Sequence, residues 1–371
     1  MTPIAALQYP ILRMRLLHRF TFARSLIRGA AVAALCVQAL AQAPAQALAQ
    51  TWIAQPSGTN ASLRGVSAVS PAVVWASGAG GAYLRTLDGG ATWQSGLVPG
   101  AADLDFRGVQ ALDGQTAWLM SSGPGEKSRI YMTADAGGHW SPLYTNPDAK
   151  GFFDAVAFWD ARRGVVLGDP VDGQFVILTT GDGGHTWQRR KLPAALPNEG
   201  AFAASNSCLR VRIVRGEREV WFGTGGPSGA RVFHSRDGGL HWDVADTPLR
   251  HDGPGAGIFS LCLASPLRAV AVGGDYGKPA DGSANVAVTL NGRDWVEPAG
   301  PHPRGYRSAV AYLPRRKVWI AVGTSGSDIS RDGGNSWTPF DSGAYNAIGT
   351  EGADAAWAVG PGGRIGKLHF K

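Results

Sequence analysis

The sequence predicts an all-β chain, a seven-bladed β-propeller of four-stranded antiparallel blades closed by its own N-terminal strand. Three observations carry that expectation. The pattern Ser/Thr-x-Asp-x-Gly-x-x-Trp occurs five times in full, starting at Thr86, Thr133, Thr180, Ser235 and Ser330. A sixth copy, Thr289 to Trp295, is one residue short and carries Asn291 where the Asp belongs. Successive copies start roughly 40–55 residues apart, the period of one four-stranded blade. The 52 Gly, 23 Pro and 13 Trp, with short Val/Ala/Trp-rich runs, describe many short strands and tight turns. Finally, the two ends complement each other. Residues 344 to 371 supply three strands and stop before any such turn, while residues 51 to 56 look like the strand that follows one.

Taken in order, the chain opens on residues 1 to 49, which hold five Arg and no Asp or Glu. An apolar, Ala-rich run from about Gly29 to Ala41 follows, with small-x-small sites ending at Ala41 and Ala49. A basic start, a short apolar core and a small-residue exit make a secretory signal, with Met14 as an alternative start. The run is shorter than the ~20 residues that span a bilayer, and Leu35 before Cys36 argues against lipidation. Export to a periplasm, or secretion, is the expectation. Without residues 1 to 49, the 35 Lys+Arg become 30 against 28 Asp+Glu. That near-neutral balance leaves no case for a nucleic-acid partner. Of the cysteines outside the signal, Cys208 and Cys262 could pair in an oxidising compartment, but two separate buried thiols are the simpler reading.

The repeats place blades at about residues 60–98, 104–146, 151–193, 200–248, 256–298 and 305–342, and the seventh is shared between the two ends. Within each turn the Asp carboxylate can accept backbone N–H groups of its own loop. Gly takes the positive φ a tight hairpin needs, and the Trp packs between neighbouring hairpins. Asp88, Asp135, Asp182, Asp237 and Asp332, with Trp93, Trp140, Trp187, Trp242 and Trp337, are therefore read as architectural. His139, His185 and His241 fall inside these turns and are read the same way.

In a propeller only the first strand of each blade lines the axis. The Asp turns lie on the opposite face from the loops joining strands two and three. A site belongs on that second face, around the channel mouth. Aligning the first strands from Leu63, Phe106, Phe153, Phe202, Phe259, Tyr306 and Tyr345 puts Arg64, Arg107, Asp154, Ala203, Ser260, Arg307 and Asn346 at one register. Three Arg converging there can grip a carboxylate bidentately; the structural alternative is a hydrated channel whose Arg side chains pair with Asp154. Asp169, Asp275, Tyr276 and Asp328 come from the adjoining loops. No EF-hand spacing supports calcium among these acids.

The repeats are Asp boxes (BNR repeats) of the kind found in sialidase-like propellers. From about residue 51 to 371 the chain resembles the photosystem II stability/assembly factor family, which has periplasmic members in non-photosynthetic bacteria. The likeness also rests on Gly168-Asp169-Pro170-Val171-Asp172-Gly173, Phe202 to Asn206, Gly273-Gly274-Asp275-Tyr276 and Gly326 to Ser330. The expectation is a monomeric exported scaffold without cofactor or metal, and the resemblance implies that such proteins help assemble membrane complexes from the lumenal or periplasmic side. Its partner is a segment of an exported or membrane protein, or an anionic small ligand, and it meets the membrane only through that partner. The rival expectation is a sialidase-like glycosidase, with the Arg trio gripping the sugar carboxylate. Against it, the Arg-Ile-Pro segment is missing and no Glu sits where it would partner a Tyr. A redox enzyme is the third reading, but the chain has no dinucleotide fingerprint and no CxxCH.

Overall fold

Apolar runs punctuated by glycine turns become strands of three to eight residues. In the computed structural model, which describes residues 49–191, 194–351 and 354–371, they assemble into seven antiparallel sheets. The secretory reading of residues 1–49 falls almost wholly outside the described residues. Blade 1 is typical, with strands Leu63–Ala68, Val74–Gly78, Ala82–Thr86 and Gln94–Leu97 running outward from the axis. Blade 7 consists of Ala347–Thr350, Ala356–Val359, Ile365–Phe370 and, outermost, the N-terminal strand Gln50–Gln55. That last strand pairs antiparallel from Gln50 opposite Phe370 to Gln55 opposite Ile365. The ring is thus closed by a strand that precedes blade 1 in the chain and covers the edge of Ile365–Phe370.

The second strands carry the core. Trp75, Trp118, Trp221, Trp319 and Trp357 are fully buried. Several donate their indole N–H to the turn region of the next blade: Trp118 to the Gly183 carbonyl (2.9 Å), Trp357 to the Gly89 carbonyl (3.3 Å). Each turn is a self-contained hydrogen-bond knot. Thr86 Oγ1 donates to Asp88 Oδ1 (2.7 Å) and accepts the Gly90 N–H (2.9 Å). Asp88 accepts the backbone N–H (2.9 Å) and hydroxyl (2.6 Å) of Thr92. Asp182 does the same with Thr186, and Asp332 with Ser336. At Asp135 and Asp237 a His ring replaces the hydroxyl, with Nδ1 of His139 and of His241 at 2.6 Å. Gly90 has φ 89°, and a Cβ there would lie 2.1 Å from Gln55 Oε1.

Two blades depart from the expected pattern. In blade 5 the three strands Ala256–Leu263, Ala269–Asp275 and Val286–Thr289 are followed only by an isolated Val288–Val296 bridge. The short sixth turn starts the fourth strand early, and Pro298, Pro301 and Pro303, which lack the ladder N–H, then end it. In blade 4 the inner strand is Leu209–Val214, not the segment around Phe202. Residues 200–208 instead form an irregular crossing. Cys208 and Cys262 are free thiols.

Candidate functional site

The inner strands meet the channel mouth through a repeated backbone device. Near the start of four of them, one residue donates its N–H across to the end of the second strand in the preceding blade: Leu63 to Gly360 O, Ile258 to Thr224 O, Arg307 to Gly273 O, Tyr345 to Gly323 O. The next residue is the one that faces the axis. In blades 1, 2, 3 and 5 it sits in a register shift between Leu63/Gly65, Phe106/Gly108, Phe153/Ala155 and Ile258/Ser260. A β-bulge of this kind re-aims one side chain out of the ladder. The axial ring is therefore Arg64, Arg107, Asp154, Phe259, Ser308 and Asn346, all of which line one cavity of about 1210 Å³.

This register corrects the sequence alignment in two blades. Phe259, not Ser260, faces the axis in blade 5, and Ser308, not Arg307, does so in blade 6. Arg307 occupies the inward position that Leu63 and Phe153 fill elsewhere, and it is 1% exposed against a fully buried Asp328. All five of its N–H groups are used. Nε donates to Asp328 Oδ2 (2.6 Å), Nη1 to the Tyr306 carbonyl and Ser325 Oγ (both 2.8 Å), and Nη2 to the Arg304 carbonyl (2.6 Å) and to Asp328. Neither Arg307 nor Asp328 is free to meet a ligand, so the expected trio of Arg does not converge. Asp275 also stays off the cavity wall, accepting the Gly277 N–H (2.9 Å) beside Lys278.

Arg64, Arg107, Asp154, Asp169, Tyr276 and Asn346 do line the cavity. Their states differ. Asn346 is spent on the seam between blades 7 and 1, donating to the Leu63 carbonyl (2.8 Å). Arg107 is tied to Asp105 (2.7 Å) and to the Ala203 carbonyl (3.2 Å). Arg64 Nε is buried with no hydrogen-bond partner, and burial, then the charge of Arg107, lowers its pKa. Asp154 is 1% exposed and its Oδ2 also has no partner. Burial, reinforced by the neighbouring Asp169, pushes its carboxyl well above the ordinary range against the pull of Arg107. Tyr276, at 60% exposure, marks the rim.

The sequence reading missed the apolar half of the cavity. Phe202 stacks on Phe259 (centroids 4.0 Å, 15°), and Phe259 meets Tyr306 edge-on at 4.7 Å. The strand alignment sets each aromatic as the bulky residue before the axial position. Only the bulge turns Phe259 to the axis, and only the irregular crossing brings Phe202 beside it. The one carboxylate added by the structure, Glu199, is consumed by Arg231, by the Thr224 hydroxyl (2.6 Å) and by the Leu196 N–H (2.7 Å).

The same crossing closes the channel. Ala203 is bonded to Arg107 of blade 2, while Asn206 holds both the N–H (2.8 Å) and the carbonyl (3.0 Å) of Val156 in blade 3. Ser207 donates to Ser260 in blade 5 (2.7 Å) and Ser205 to the Ser308 carbonyl in blade 6 (2.8 Å). Phe202, Ala203 and Ala204 floor the mouth cavity; Ser205, Asn206 and Ser207 roof a separate chamber of about 440 Å³ on the Asp-turn side. The mouth is a blind cup rather than a pore.

No protein-family model matches the chain, and no curated protein matches it. Solved structures do. One titled "YCF48 bound to D1 peptide" is 18% identical with a TM-score of 0.58, covering 86% of this chain and 96% of that one. YCF48 from Cyanidioschyzon merolae is 19% identical with a TM-score of 0.59, covering 86% and 98%. The WD40 propeller domain of Doa1 is 12% identical with a TM-score of 0.56, covering 86% and 97%. At these identities the likeness is one of fold.

Proposed function

We propose that this chain is an exported, non-catalytic scaffold whose blind cup receives the tip of a protein partner. The observation that carries the reading is the division of labour in the cup. Its potential acids and bases are buried or already paired, whereas the surface left for a ligand is aromatic, the half-buried Phe202 and the exposed Tyr276, with the unspent guanidinium of Arg64 in the same cavity. Such a surface binds by apolar contact and charge-assisted hydrogen bonding and offers no nucleophile with an adjacent base. The floor made by residues 202–204 favours a chain end or loop tip over a threaded segment. Similarity to a YCF48 structure holding a D1 peptide supports a peptide partner, and the basic, apolar leader supports export. The partner is then a segment of an exported or membrane protein; nothing ties it to a photosystem.

The test is capture from a periplasmic and membrane fraction with a photo-crosslinker at Tyr276. The unmodified cup is compared with Arg64→Ala/Arg107→Ala, both checked for folding. A defined protein crosslinked by the former and lost with the latter supports the cup as the docking site. Equal capture by both would remove the site from the cup.

A further inference from the structure

The chamber of about 440 Å³ on the Asp-turn side of the plug carries a charge that the fold leaves unanswered. One level of its wall is set by register. Ser67, Gln110 and Arg210 stand opposite the buried Trp75, Trp118 and Trp221 of their second strands. Each ties its blade to the next one. Ser67 Oγ accepts the Ala111 N–H (3.0 Å), Gln110 holds the N–H and the carbonyl of Phe158 (both 2.8 Å), and Arg210 Nε donates to the Leu261 carbonyl (2.6 Å). A hydroxyl or a neutral amide makes this tie in blades 1 and 2, so the tie alone does not call for a cation in blade 4. Arg210 also keeps part of its surface open on the chamber, and neither Nη1 nor Nη2 meets a protein acceptor among the described residues. No Asp or Glu lines the chamber among those residues. Arg212, the other cation of the wall, is spent on Glu219 and on the carbonyls of Ser265 (2.6 Å) and Pro266 (3.2 Å). Burial lowers the pKa of Arg210, and the groups that raise it are the thiols of Cys262 and Cys208.

A guanidinium enclosed without a counter-charge is costly. The free end of Arg210 presents two N–H groups side by side, the fork that a carboxylate meets bidentately. The rest of the wall is largely apolar, with Val66, Val109, Val156 and Ile348 on it. A carboxylate with a short apolar body answers both features. We propose that the chamber binds a small organic carboxylate, its head on Nη1 and Nη2 of Arg210 and its body against these aliphatic side chains. Ser205, Asn206 and Ser207 separate this site from the cup, so it stands independently of what docks there.

The experiment is a calorimetric titration of the protein with benzoate, which should show saturable binding. Benzyl alcohol has nearly the same shape without the charge, and it should bind at least about tenfold more weakly. That comparison needs no variant. Arg210→Gln keeps a donor for the Leu261 carbonyl, as Gln110 provides in blade 2, and should weaken benzoate by a similar factor. Arg64→Ala, on the other side of the plug, should leave benzoate binding unchanged. Absence of saturable binding, or equal affinity for benzyl alcohol, would overturn the proposal. Loss of benzoate with Arg64→Ala and its retention with Arg210→Gln would move the carboxylate to the cup. Inorganic phosphate or chloride displacing benzoate at matched concentration would overturn the organic ligand and reassign Arg210 to a simple anion.

Discussion

Arg307 and Arg64 lie one register apart in equivalent strands, and that single step decides their fates. Arg307 fills a core position and is held by a buried Asp328. Removing one partner of a buried pair strands the other's charge, so Arg307→Ala should cost ~3–5 kcal/mol in chemical denaturation. Arg64→Ala should cost much less and act on binding instead. Comparable destabilisation by both would contradict the register described for blade 6. Asp154 gives a prediction with a definite sign. Its folded pKa is raised, so the unfolded chain ionises first and stability falls as pH rises above about 3.9. Asp154→Asn should therefore raise the melting temperature near neutral pH and leave it unchanged near about pH 3. A gain of the same size at both would mean that the carboxyl ionises freely in the fold.

At the scale of the element, the Asp turn is a clamp whose strength depends on ionisation. The His139 backbone N–H, then its ring and the Thr133 hydroxyl, hold the Asp135 carboxyl down to about 2. A depressed pKa gives stability that is complete above the unfolded value near 3.9 and is lost as pH falls through the folded one. Thermal melts between about pH 4 and pH 2 should show that loss, and Asp135→Asn should flatten this part of the profile. Asp88→Ala should lower stability without touching partner capture, since its turn lies on the far face from the cup. The plug at residues 200–208 is the other decisive element. Asn206→Ala leaves the Val156 N–H unsatisfied inside the ring, a cost of about 1–3 kcal/mol. In the sequence that residue stands only at the end of the segment Phe202 to Asn206 that carries the family resemblance, because its positive φ (64°) and its bonds to another blade follow from the closed ring.

The whole molecule depends on its closure. The strand Gln50–Gln55 adds an edge ladder to blade 7, and Trp52 donates its indole N–H to Ser327 Oγ of blade 6 (3.0 Å). Deleting residues 50–56 should lower the calorimetric melting temperature of the entire ring in one transition, since loss of a buried Trp alone costs ~3–5 kcal/mol. An unchanged transition would show that closure contributes nothing. Spacing of the turns, the buried Trp of the second strands and the complementary ends determined the seven-bladed ring from sequence alone, because each is a local pattern repeated at blade length. The composition of the cup was decided only in three dimensions. A bulge turns Phe259 to the axis, and in blade 6 the axial position falls on Ser308, one residue beyond the aligned one, which leaves Arg307 in the core. A loop with no strand pattern of its own crosses the channel to bond four other blades. Neither event leaves a periodic trace, since both are set by contacts between residues that the chain keeps far apart.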